Sequence, residues 1–179
     1  MALSQSFLWQ IYRNKVFKDI AKRGKTSTGW FFGFKLHIIN QGEIMNFSLT
    51  PGNVDDKKVV EQLVGKLQGW IFGDRGYISK KLAASLAIQG LELITKVKAN
   101  MKKMILEPIK KQFLRHMGII ETINDQLKNL FHIDHSRHRS VMNFQVNLLS
   151  GLIAYIFKPR KISVPFSKLN NFKQTLTSN

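Results

Sequence analysis

The sequence contains no cysteine, and this absence excludes two kinds of structure. No disulfide can staple the fold, and no thiolate can hold a metal, so a metal site would need oxygen or imidazole ligands. Residues 1–10 also lack the charged start and the small-residue cleavage site of a signal peptide. We therefore expect a cytoplasmic protein.

Acidic residues are scarce. There are 11 Asp and Glu against 28 Lys and Arg, which gives a formal net charge of +17. A charge of this size favours a polyanionic partner, because it attracts phosphates over long distances. Nucleic acid is the first candidate, and an anionic membrane surface is the alternative.

One long uncharged run lies between Arg139 and Lys158, and its 18 residues are enough to span a bilayer. The run contains the polar residues Asn143, Gln145, Asn147 and Ser150. Polar side chains are costly within a membrane. The sequence therefore favours a buried helix over a membrane span.

The length of 179 residues is typical of one domain, and the residue pattern predicts an α/β fold with a mixed sheet. Alternation of apolar residues predicts a hairpin from strands 30–40 and 43–50. An amphipathic helix then begins near Asn53 or Asp55, and a strand ends at Asp74. A helix at 79–87 and a strand at 91–97 complete this part.

The two ends of the chain are less regular. The apolar cluster within 4–12 is read either as a short strand or as a frayed end. A basic stretch at 96–115 is read as a loop or broken helix. Apolar periodicity predicts helices at 119–130 and 140–157, and we expect a frayed tail from Lys158 onward.

Asp74 lies between Gly73 and Gly76, directly after a short apolar strand. Ligands of open α/β sheets bind beyond the carboxyl ends of strands, where this carboxylate would lie. An Asp at such a turn can equally act as a simple cap. Both interpretations stay open for the isolated motif.

Glu121 is the second acid of interest, because it falls in the first turn of a predicted late helix. If that helix crosses the sheet edge, Glu121 and Asp74 converge, and two carboxylates suit Mg²⁺. Alternatively, Glu121 simply interacts with the helix dipole. Lys128 follows two helical turns later and would lie on the same helix face as Glu121. There it could hold a DNA phosphate. Alternatively, Glu121 and Lys128 belong to an ordinary solvated helix face.

Three histidines, His132, His135 and His138, recur at intervals of three, which suggests metal spacing. They alternate with Asp134, Arg137 and other polar residues, and no cysteine accompanies them. A polar loop that faces DNA is the better interpretation.

With these motifs in hand, the chain resembles the DDE-type transposases of bacterial insertion sequences, whose catalytic domain is ribonuclease H-like. The resemblance rests on residues 29–37 through 49–56, on 72–77, and on 120–124 with Lys128 and 135–140. It implies a ribonuclease H-like mixed sheet flanked by helices. It also implies that Asp74 and Glu121 are the second and third carboxylates of a catalytic triad, followed by Lys128. Two Mg²⁺ ions would support DNA cleavage and strand transfer.

The chain departs from the family pattern at the first carboxylate of the triad. The only acid before Glu43 is Asp19, which lies in a basic segment and is a poor substitute. Met117 stands where the family usually has an arginine, and Arg115 is the nearest replacement. We therefore expect an N-terminally truncated transposase whose first catalytic strand is missing or replaced, with residues 7–12 as a candidate replacement. Such a chain is expected to be inactive by itself.

These inferences divide the chain into a truncated basic segment at 1–29, a partial DDE domain at 30–157 and a flexible basic tail at 158–179. The expected partners are the DNA ends of its insertion element and a second protein chain, which is either another copy of this chain or a full-length transposase. We expect no interaction with a membrane. The alternative functions are a non-catalytic DNA-binding or interfering fragment, and a basic RNA- or membrane-binding protein. The residues expected to contact DNA are Lys22, Arg23, Lys25, Arg75, Lys102, Lys103, Lys110, Lys111, Arg115, Arg137 and Arg139.

Overall fold

Six strands form one mixed sheet in the computed structural model, which describes residues 1–9, 15–26, 29–96, 107–115, 117–134 and 138–161. The strands are β1 (Ala2–Trp9), β2 (Lys22–Thr26), β3 (Gly29–Asn40), β4 (Ile44–Pro51), β5 (Gly69–Gly73) and β6 (Leu91–Thr95). Their order is β2-β3-β1-β5-β6, and β4 also pairs with β3. The predicted hairpin is the antiparallel pair of β3 and β4.

In the described part of the chain, five α-helices flank this sheet: α1 (Asp56–Val64), α2 (Lys80–Ile88), α3 (Pro108–Arg115), α4 (Gly118–Asp125) and α5 (Val141–Ile156). Capping side chains fix two of the starts, as the sequence predicts. Asp55 accepts a hydrogen bond from the Lys57 amide at the start of α1, and Ser79 accepts one from Leu82 at the start of α2. The predicted α/β class with a mixed sheet is confirmed.

The N-terminal apolar segment is a strand rather than a frayed end. β1 pairs antiparallel with β3 and parallel with β5, so it lies at the centre of the sheet. Of the two alternatives for the first catalytic strand, missing or replaced, the fold contains a strand in that position. β1 begins at Ala2, earlier than the predicted residues 7–12, of which 10–12 lie outside the described residues. β1 and β2 also extend the sheet into the segment 1–29 that the sequence set apart.

Both faces of the sheet are covered, and the alternation of side chains decides which residue faces which layer. Phe34, Leu36 and Ile38 pack with α4 and α5 on one face. Leu3 and Ile39 pack with α1 and α2 on the other face. Because of this double cover, Lys35 and His37, which alternate with these apolar residues along β3, are also buried.

Helix α5 is buried along one side only. Phe144, Leu148 and Tyr155 are buried, and the Tyr155 hydroxyl donates a hydrogen bond to the carbonyl of Gly42 at 3.0 Å. Met142, Val146 and Ile153 on the other side are exposed. The predicted helix therefore packs on the core by one face. Among the helices that the described ranges contain, none combines the length and hydropathy needed to cross a bilayer.

Candidate active site

A cavity of about 440 Å³ lies where β1 and β5 run side by side, next to the starts of α1 and α4. It gathers residues from the two predicted acid motifs and from β1, β2 and β3. The lining residues are Leu3, Ser4, Gln5, Lys25, Thr26, Lys35, Asp56, Asp74, Gly76, Tyr77, Lys96, Met117, Glu121 and Asn124. This is the predicted position beyond the carboxyl end of the Asp74 strand.

Asp74 follows the last residue of β5 and is exposed to the cavity. Its Oδ1 accepts a hydrogen bond from the Arg75 amide at 2.6 Å and caps the 3₁₀ turn at Arg75–Tyr77. The two interpretations of Asp74 are therefore compatible. The capping bond fixes the carboxylate at the edge of the cavity.

Glu121 reaches the same cavity from the first turn of α4. The helix is held against β1 by Asn124, whose Nδ2 donates to the carbonyl of Gln5 at 3.3 Å. Ile123, fully buried, packs the opposite side of that turn into the core. The tertiary structure thus brings Glu121 and Asp74 to one cavity, as the spacing suggested.

A buried polar layer supports the cavity from the α1 side. The Lys35 ammonium lies 2.9 Å from Asp56 Oδ1 and donates to the Val54 carbonyl at 2.8 Å. Next to it, His37 Nε2 and Thr50 Oγ1 share a hydrogen bond of 2.9 Å. Burial lowers the pKa of His37 to about 4, with Asp56 opposing this effect and Lys35 adding to it. His37 is therefore neutral at physiological pH.

Ser4 of β1 is a cavity residue that the sequence did not single out. Its side chain is buried, and Oγ has no hydrogen-bond partner within the described ranges. Gln5, Lys35, Asp56, Lys96 and Asn124 were also missed. Asp56 could have been found from its position just after the N-cap of α1. Ser4 carries no comparable signal, because only strand pairing brings it to the cavity that Asp74 lines.

Lys128 is not among the residues that line the cavity with Glu121. Helix α4 ends at Asp125 and continues as a π turn at Gln126–Leu130, which adds a residue to the turn and breaks the seven-residue alignment. The Lys128 ammonium lies 3.3 Å from Asp134 Oδ2, and Lys128 is absent from the cavity lining. The catalytic role of Lys128 stays a prediction.

The basic residues expected at DNA fall into three groups. Lys22, Arg23 and Lys25 on β2 are exposed, as are Arg75, Lys111, Arg115 and Arg139, and Lys25 also lines the cavity. Lys102, Lys103 and Arg137 lie outside the described residues. Lys110 differs, because it is buried and pairs with Glu92 at 2.8 Å and with Glu107 at 3.0 Å. These hydrogen bonds raise the pKa of Lys110 and engage its charge within the fold, so we remove it from the predicted DNA surface.

The cavity fits a divalent cation in ligand type but not in charge. Asp74 and Glu121 supply two carboxylates, and Gln5 Oε1 and Asn124 Oδ1 are further buried oxygens without a partner among the described residues. However, Lys25, Lys35 and Lys96 line the cavity together with Asp56, Asp74 and Glu121, so positive and negative charges balance.

Within the described ranges, no cluster of three or more His, Asp or Glu stands in a position to hold a metal ion. His135, the middle member of the histidine series, lies outside them. Asp74 and Glu121 are the carboxylates that the sequence predicts for Mg²⁺, and the third carboxylate of the described lining, Asp56, pairs with Lys35.

Comparison with known proteins agrees with this arrangement of elements. The sequence matches a family model described as transposase DDE domain over residues 4–141. Among solved structures, the chain is similar to a piggyBac transposase in a synaptic complex with hairpin DNA, with a TM-score of 0.50 and 13% identity. The alignment covers 99% of this chain and 52% of the piggyBac chain, so the protein spans about half of that transposase.

The structural likeness supports the predicted ribonuclease H-like sheet and carries no more than the fold. A comparison with curated protein sequences finds no match. The family match runs from β1 to the first residue of α5 and includes Ser4, Asp74 and Glu121. The chain therefore belongs to the transposase DDE domain family.

Proposed function

We propose that this domain binds the DNA ends of an insertion element and cuts them weakly or not at all by itself. The reaction class that its family implies is metal-dependent phosphoryl transfer, for which Asp74 and Glu121 would hold the cation and the cation would supply Lewis-acid chemistry. The observation that carries the proposal is the cavity that Asp74 and Glu121 both line, where the third carboxylate among the described lining residues, Asp56, pairs with Lys35.

Several exposed cations support the DNA-binding part of the proposal. Lys25 and Lys96 line the cavity, and Arg75 directly follows Asp74. A phosphate backbone beside the carboxylates would meet these charges, which position DNA without reading its sequence. The proposed protein partner is a second transposase chain, either a copy of this one or a full-length protein, and the proposed location is the cytoplasm.

The test combines binding and cleavage on the same DNA. A fluorescein-labelled duplex from the sequence that flanks the gene is titrated with the protein at low salt, and the same duplex is then incubated with Mg²⁺ or Mn²⁺. We expect binding in the anisotropy signal and no nicking above the EDTA control. The Asp74→Asn variant is the matched control, since it keeps the shape of the side chain.

Two results would contradict the proposal in different parts. Absence of binding at low salt would exclude the DNA-binding role. Efficient metal-dependent cleavage that disappears in Asp74→Asn would show that the two carboxylates suffice, and the part of the proposal that expects weak or no cleavage would then be wrong.

A further inference from the structure

The strand register fixes which residue of β1 stands beside Asp74. In the parallel pair of β1 and β5, Ala2 is opposite Phe72. Two residues further along both strands, Ser4 comes level with Asp74, because parallel strands advance equally. On this register Ser4 is the β1 residue level with Asp74, which directly follows β5, and both residues line the same cavity.

The packing on the two faces shows that both side chains lie on the same side. Ala2 and Phe72 pack in one cluster under α3, and residues two positions further on share that face. Across the other edge of β1, Ser4 is opposite Ile38, which packs with α4 and α5. The Ser4 side chain thus lies on the face of the sheet that α4 covers, and α4 carries Glu121.

The Ser4 side chain is buried in the wall of the cavity, and its hydroxyl makes no hydrogen bond to the described residues. Ser4 is 6% exposed, its Oγ has no hydrogen-bond partner within the described ranges, and it lines the cavity together with Asp74 and Glu121. Buried hydroxyls are normally paired. A neutral hydroxyl also leaves the three lysines and three carboxylates of the lining in balance, so the cavity has little attraction for a divalent cation.

We infer that Ser4 occupies the position of the missing first carboxylate, and that this one residue limits cation binding in the cavity. The inference rests on the proposed function, since it concerns the same site. An aspartate at position 4 would add an anionic oxygen beside Asp74 and would give the cavity an excess of negative charge. No other rearrangement of the fold is needed, because β1 already forms the central strand.

The experiment measures Mn²⁺ binding to the full chain without DNA. We expect Ser4→Asp to bind Mn²⁺ tighter than the parent chain by roughly tenfold or more, because ligand charge and number set the affinity for hard cations. Binding is read by isothermal titration calorimetry and by loss of the free Mn²⁺ signal in electron paramagnetic resonance. Mn²⁺ should also raise the Tm of Ser4→Asp more than that of the parent.

Two matched variants test whether the gain in Mn²⁺ affinity depends on the charge at position 4 and on Asp74. Ser4→Asn has the same shape as Ser4→Asp without the charge, and it should bind Mn²⁺ no tighter than the parent. Adding Asp74→Asn to Ser4→Asp should remove the gain, since the cation would lose a neighbouring carboxylate. If Ser4→Asp does not fold in EDTA, Ser4→Glu is measured in the same way.

The inference is overturned if folded Ser4→Asp or Ser4→Glu binds Mn²⁺ no tighter than the parent, or if the gain persists after Asp74→Asn. This outcome is separate from the proposed function, which depends on DNA binding by the parent chain. A gain in Mn²⁺ affinity without DNA binding by the parent would support the role of Ser4 and exclude the proposed function.

Discussion

At the scale of single residues, His37 links the stability of the fold to pH. The side chain is 1% exposed, and burial lowers its pKa from 6.5 to about 4. Between these two pH values His37 is protonated in the unfolded chain and neutral in the folded chain. Stability is therefore complete above pH 6.5 and decreases as the pH falls toward 4.

We expect this decrease to reach roughly 3 kcal/mol for His37, since each pKa unit corresponds to about 1.4 kcal/mol. Urea unfolding across this pH range measures it. His37→Gln is the control, because it keeps a polar partner for Thr50 and does not titrate. Parallel loss of stability in the parent and His37→Gln would contradict the prediction, as other groups would then be responsible.

At the same scale, the two acid motifs show how far residue patterns reach. The short strand and the glycines predicted that Asp74 would emerge at a sheet edge, and it does. The pattern could not predict that Lys35 is buried beside Asp56, because alternation within one strand does not reveal what covers each face. That cover comes from α1, which lies distant in the sequence.

At the scale of elements, Gly151 allows α5 to pack closely against the segment before it, which contains Phe131 and Ile133. A Cβ on Gly151 would overlap Cγ2 of Ile133, which is fully buried, and would lie 3.4 Å from the Phe131 carbonyl. Glycine is otherwise unfavourable within a helix by about 1 kcal/mol relative to alanine. The close approach of the two segments explains its presence.

We expect Gly151→Ala to lower the free energy of unfolding by about 1 to 2 kcal/mol, because overpacking costs more than the helix propensity returns. Urea denaturation is the measurement. In an Ile133→Ala background the same change should cost less or become favourable, since the overlap is removed. Gly118→Ala is the matched helical control, because a Cβ there meets nothing within 4 Å. An equal effect at Gly151 and Gly118 would refute the packing explanation.

Many element boundaries and types were readable from the sequence, and two of the elements that were not are informative. β2 lies within a run of basic residues whose composition gave no strand signal, and it forms because β3 offers an unpaired edge. The helix that carries Glu121 changes to a π turn after Asp125, a local irregularity that apolar periodicity does not encode. That change separates Lys128 from Glu121.

At the scale of the whole molecule, the excess of basic residues predicts DNA binding that weakens steeply with salt. Lys25 is exposed, lines the cavity and stands 5.7 Å above the Trp30 ring. If it contacts one phosphate, Lys25→Gln should weaken binding to any duplex sequence and reduce the slope of log K against log salt by about 1.

Fluorescence anisotropy at several salt concentrations measures that slope for duplexes of unrelated sequence. Lys66→Gln is the control, because Lys66 is an exposed lysine just after the C-terminal end of α1, away from the helix start that reaches the cavity. Equal slopes for the parent and Lys25→Gln would remove Lys25 from the DNA surface, and a similar loss in Lys66→Gln would indicate a diffuse charge effect.

The sequence by itself determined the fold class, the family and the two acids, because hydrophobic periodicity and short motifs are local properties of the chain. Only the tertiary structure decided what stands beside those acids. Ser4 lines the same cavity as Asp74 because strands about seventy residues apart pair, and no local pattern encodes that pairing. The charge balance of the cavity also depends on the tertiary structure. The fold brings three lysines and three carboxylates to the lining, and the composition of the chain does not determine this grouping.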